Sequence, residues 1–62
     1  MYIVKVYLKS NAIVEFKGRD TRNAREIAKR IVTEGLWTEP DENGTEEFYP
    51  VNQIYKVKII KQ

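Results

Sequence analysis

A single apolar stripe in the middle of the chain sets the architecture. Ala24, Ile27, Ala28, Ile31 and Val32 fall at i, i+3, i+4, i+7 and i+8, the spacing that gathers side chains on one side of an α-helix. The flanking segments follow a different period. In "YIVKVYL", Tyr2, Val4, Val6 and Leu8 point one way, while Ile3, Lys5 and Tyr7, with Lys9 after them, point the other. That period of two is a strand signature, reinforced by the β-branched and aromatic content. Ser10-Asn11 marks a tight turn. "AIVEFK" then continues as a second strand, with Ala12, Val14 and Phe16 inward and Ile13, Glu15 and Lys17 outward. A β-hairpin followed by one helix is the economical reading.

Gly18 interrupts the second strand, and Asp20 or Thr21 can cap the helix by accepting from its free amides. Gly35 supplies its left-handed stop. Within the helix, Arg22–Glu26 and Glu26–Arg30 are i,i+4 pairs that add modest support. Beyond it, "LWTE", "PDENG" and "TEEFYP" read as a second hairpin, with Asn43 and Gly44 at positive-φ positions. Pro50 ends that strand because it cannot donate to a ladder, and "VNQ" turns the corner. "IYKVKII" is the last strand, alternating Tyr55, Val57 and Ile59 against Lys56, Lys58 and Ile60. The order β-β-α-β-β predicts one domain over residues 1–62. A single helix can cover only one face of a sheet, so the expectation is a two-layer α+β fold: a four-stranded, mainly antiparallel sheet with one open face. This layout resembles small uncharacterised proteins common in bacterial and prophage genomes, a likeness of size and element order that carries no site residues. Small archaeal chromatin proteins share the length and lysine content, but they place their helix at the C-terminus of a barrel, and here it is central.

The residue inventory excludes most chemistry. There is no histidine and no cysteine among the 62 residues, which removes the commonest general base, nucleophile and zinc ligands as well as any disulfide. The three glycines stand at separate junctions and form no phosphate-binding loop. "EPDENGTEE" hints at an acidic calcium loop, but Gly44 comes too early for the EF-hand spacing and no helix pair flanks it. No catalytic, cofactor-binding or metal-ligating residue is therefore assigned, and neither an enzyme nor a small-molecule substrate is expected. No apolar run approaches the ~20 residues of a membrane span. The first stretch, broken by Lys5 and Lys9, lacks the uniform apolar core of a signal peptide. A cytoplasmic, membrane-free protein is the expectation.

What the sequence does show is sorted charge. Residues 34–47 hold Glu34, Glu39, Asp41, Glu42, Glu46 and Glu47 and no basic residue. All eleven lysines and arginines lie outside that window with only three acids, a local surplus of eight positive charges. Two binding readings follow. In the first, the chain is an accessory module that contacts another protein or a second copy of itself. Its contact residues would be Ile3, Tyr7, Ile13 and Ile60 on the open sheet face, with Trp37 and Tyr49 beside the acidic hairpin. In the second, the open face binds nucleic acid, with Lys5, Lys9, Lys17, Lys56 and Lys58 on phosphates and Tyr7 or Tyr55 on bases. Arg25 and Lys29 offer a further basic patch on the helix. The same lysines would also serve an ordinary solvated sheet, blunting its edges while their stems cover β-branched neighbours.

Overall fold

A computed structural model describes residues 1–62. Its elements run β1 (Tyr2–Leu8), β2 (Ile13–Gly18), α1 (Thr21–Glu34), β3 (Leu36–Trp37), β4 (Phe48–Tyr49), a 3₁₀ turn (Val51–Gln53) and β5 (Ile54–Lys61). The fold is a small α+β unit with one helix and antiparallel sheets. No helix is long and apolar enough to cross a membrane.

The single four-stranded sheet expected from the sequence is not formed. Instead, β2, β1 and β5 make a three-stranded sheet in that order, and β3 pairs only with β4. The reason lies in where backbone partners are available. β1 is hydrogen-bonded on both sides, antiparallel to β2 and to β5, and its inward residues Val4, Val6 and Leu8 are the most completely buried run of the chain. β5 takes the edge of β1 that the hairpin would have needed. The segment from Thr38 to Glu47 is almost wholly polar and has no apolar face to lay against the helix, so its ladder stops after two strand residues a side. Thr38 and Glu47 extend it by one backbone hydrogen bond of 2.9 Å. Since β2 and β5 both run antiparallel to β1, they are parallel to each other, and the helix crosses between them over β1.

The helix behaves largely as its spacing predicts. Asp20 is the N-cap, its carboxylate accepting from the Asn23 amide at 2.8 Å. Gly35 ends the helix at φ 98, a left-handed conformation that side chains resist. Its missing side chain matters as well, because a Cβ there would lie 2.8 Å from Cζ of Phe48. Ala24 and Ile31 are buried, and Ile27 and Ala28 pack beside them, but Val32 is 48% exposed. The stripe is thus one residue narrower than its spacing implies. Arg30 pairs with Glu34 at 3.6 Å and not with Glu26, which is left to Arg22 at 3.6 Å. Two further local expectations also change. Ala12 is exposed in the turn, and Asn43 keeps a negative φ while Asn11 (φ 72) and Gly44 (φ 79) take the left-handed positions.

The core is Val4, Val6, Leu8, Ala24, Ile31 and Leu36. Leu36, at the start of β3, joins the separate hairpin to it. Leu36→Ala should lower the unfolding free energy by about 2–5 kcal/mol, whereas Val32→Ala should change it by less than about 0.5 kcal/mol. Denaturant melts of the two variants check the pair.

Candidate functional site

On the face of the three-stranded sheet away from α1, the strand register arranges nine side chains as a lattice. Ile13, Tyr7 and Lys56 form one row, Glu15, Lys5 and Lys58 the next, and Lys17, Ile3 and Ile60 the third. The assignment of these residues to one face follows from strand alternation, and the pairing shows which ones meet. Tyr7 is on the central strand, half-buried, and three ammonium groups surround its ring. Nζ of Lys56, Lys5 and Lys58 lie 4.8, 5.6 and 5.9 Å from its centroid, within cation–π reach.

The electrostatics of this lattice are unbalanced. Lys5 and Lys58 are directly opposite on neighbouring strands, an arrangement that costs stability. Lys56 adds a third charge one row away. The single internal counter-ion is Glu15, 3.9 Å from Lys5, and it sits at the far edge from β5. An anion arriving from outside would relieve this repulsion, and the half-buried Tyr7 ring beneath is the aromatic surface nearest to it.

Other predicted residues fall elsewhere. Lys17 is on the lattice but at its far row beside Ile3. Lys9 lies beyond the end of β1, where its backbone amide is held by the Gln53 carbonyl at 2.9 Å. Arg25 and Lys29 are exposed on α1, in the layer covering the opposite face, and do not join Tyr7. Tyr55 does not alternate with the core as expected. The register shifts between Tyr7 and Leu8, leaving Tyr55 as the bulged residue and 69% exposed, with Lys56 Nζ 5.8 Å from its ring. Ile3 is half-buried, and Ile13 and Ile60 are exposed rim positions of the same face.

Trp37 stands apart on the hairpin, 62% exposed and tilted against Phe48 with ring centroids 4.9 Å apart. Tyr49 turns toward the core, and its hydroxyl donates to Glu47 at 3.2 Å. The negative charge of Glu47, followed by burial and by that hydrogen bond, holds the phenol above the ordinary tyrosine value of 10.0. At the hairpin tip, the Asp41 carboxylate is used locally, accepting from the Asn43 and Thr45 amides at 2.8 and 3.0 Å. No three acidic side chains converge there as a cation site.

One feature was not anticipated. An open groove of about 420 Å³ runs between β2, the C-terminal half of α1 and the hairpin, lined by Phe16, Ile27, Ile31, Leu36 and Trp37. Its only sequence signal was a large aromatic, Phe16, on the inward side of the second strand. Compared with protein-family models, curated proteins and solved structures, the chain matches none.

Two outcomes follow from these charges. Lys58→Gln should stabilise the fold by about 0.2–1 kcal/mol at low ionic strength, and the gain should shrink as salt screens the repulsion; melts at two salt concentrations measure it. Glu47→Gln should bring the Tyr49 phenol back toward ordinary titration, read from phenolate absorbance against a Tyr49→Phe reference.

Proposed function

We propose that this chain is a non-catalytic binding module whose open sheet face takes single-stranded nucleic acid. The observation that carries the reading is the convergence of Lys5, Lys56 and Lys58 on Tyr7. Lysines on phosphates supply affinity, and a central-strand aromatic supplies a platform for a base. A flat sheet with an aromatic at its centre suits splayed bases better than a closed duplex, whose bases are already stacked on one another. Lys17 and Lys9 extend the positive charge toward the ends of the face and would track the backbone. Glu15 confines the strongest potential to the β1–β5 side.

A second reading rests on a different observation. The exposed Trp37–Phe48 pair beside an acidic turn would anchor a basic protein partner, because aromatics buried at an interface dominate contact energies. It involves the hairpin and leaves the lysine face free.

Fluorescence anisotropy with labelled oligonucleotides tests the first reading. Single strands should bind in preference to duplexes, and log K should fall with log salt at a slope between about −2, for Lys5, Lys56 and Lys58 alone, and about −3.5 with Lys9 and Lys17 added, at about −0.7 per neutralised phosphate. Tyr7→Ala should weaken binding by about 5- to 150-fold, the worth of one stacked base, while Tyr7→Phe should retain it. Absence of binding to single strands in low salt would overturn the proposal.

A further inference from the structure

The three-stranded sheet has two free edges, and their charge patterns differ. On β5 the side chains of the open face are Lys56, Lys58 and Ile60. A second β5 paired antiparallel about Val57 would set Lys56 against Lys58, and about Lys58 would set that lysine against itself. In these two registers the edge repels its own copy, a common protection for exposed strands. The open face of β2 carries Ile13, Glu15 and Lys17 instead.

The β2 edge is self-complementary in one register. In an antiparallel pair, residues directly opposite share a face, so two copies of β2 related by a twofold axis must centre on a residue. Centred on Glu15 or Lys17, the pairing places like charges together. Centred on Phe16, it sets Glu15 opposite Lys17 of the second copy and Lys17 opposite its Glu15, giving two ion pairs. The backbone phase agrees. Leu8 donates its amide to the Ala12 carbonyl at 2.9 Å, so Ala12 faces β1. Strand polar groups alternate sides, so Ile13, Glu15 and Lys17 present their amides and carbonyls outward. Those are the residues that the Phe16-centred register would hydrogen-bond.

The apolar side agrees as well. Beneath this edge, on the helix side, lies a groove lined by Val14, Phe16 and Ile27 with Glu39 at its rim. It adjoins the larger groove, which Phe16 and Ile27 also line. At the twofold axis the two Phe16 rings would meet as a close cross-strand pair and close both openings. Ile13, 51% exposed, would be drawn toward the seam. Eight of 62 residues are buried in the single chain, a small core that gains from extension by a partner.

We infer that the partner of the β2 edge is a second copy of this chain, paired antiparallel about Phe16 into a continuous six-stranded sheet. The twofold axis is perpendicular to the sheet, so both Tyr7–lysine clusters face the same way. At about 4.8 Å between strands and 3.4 Å per residue, the two Tyr7 rings are about 25 Å apart. A single strand crossing both is a consequence that rests on the nucleic-acid reading; the pairing itself does not.

Sedimentation equilibrium without nucleic acid, from micromolar to millimolar chain, tests the pairing. The wild type should reach twice the mass of the 7.3 kDa chain. Glu15→Lys and Lys17→Glu should each weaken self-association by at least about tenfold, because each puts like charges across the seam. Circular dichroism checks that both variants stay folded. Mixed together they should associate again, since every facing pair is then opposite in charge, and the double variant carrying both changes should dimerise alone. A wild type that stays monomeric at millimolar concentration overturns the inference. So does a dimer that neither single reversal weakens, or a mixture that fails to associate. A dimer that ignores oligonucleotides would overturn the proposed function and leave the pairing intact, and a nucleic-acid-binding monomer would do the reverse.

Discussion

The packing of Val4, Val6 and Leu8 against Ala24 and Ile31 determines most of what this small domain presents to solvent. Burying those three side chains under the helix makes β1 the central strand and commits Ile3, Lys5 and Tyr7 to the other face, because strand side chains alternate. With only one helix, nothing covers that second face. Its contents are then set by the registers of β2 and β5, which bring Lys56 and Lys58 from the far end of the chain to Tyr7 near the start. A slip of one residue in β5 would turn Val57 outward and its lysines into the core. The apolar register and the cationic cluster are therefore one constraint seen from two sides.

Much of this was legible in the residues. The helical stripe, the Gly35 stop and the alternation of the first two strands each carry a local physical signal, and each places its element correctly. Membership of the open face was readable for the same reason, except for Lys9, which lies beyond the end of β1. Strand order was not, because alternation says which way a side chain points and nothing about which strand lies beside it. The predicted fourth strand failed because two apolar residues a side, Leu36–Trp37 and Phe48–Tyr49, cannot compete with the eight-residue β5 for the free edge of β1. The bulge at Tyr55 was equally hidden. It arises where β5 adjusts to bring Ile54 opposite Leu8, a long-range demand that leaves no mark on "IYKVK". The clustering of three lysines on one ring depended on that register, so sequence could supply the cast of the site and not its centre.

Local ion pairing accounts for much of the helix charge, with Arg22 and Arg30 each matched to an acid four residues on. These pairs are highly exposed and contribute little stability, and they leave Arg25 and Lys29 without an ion-pair partner on the helix. The sheet face has no such arrangement beyond the long Lys5–Glu15 contact. Both basic surfaces retain unpaired positive charge, but only the sheet face gathers it around an aromatic ring. Arginine would make the stronger bidentate phosphate contact; lysine makes a point-charge contact, tolerant of geometry, which suits a flexible single strand.

The exclusion of the hairpin from the main sheet bears directly on that unpaired charge. Had β3 and β4 joined the sheet beside β5, alternation would have sent some of Glu39, Glu46 and Glu47 onto the open face, within cross-strand reach of Lys56 and Lys58. The acids would have neutralised the lysines internally. Instead Gly35 turns the chain away immediately after α1, Leu36 fixes the hairpin to the core, and the Trp37–Phe48 contact and the Asp41-capped tip hold it as a separate arm. The charge sorting visible in the sequence becomes a physical separation because the arm has its own small sheet. A cationic face that is costly to the fold persists because the residues able to cancel it are held elsewhere by apolar contacts they do not control.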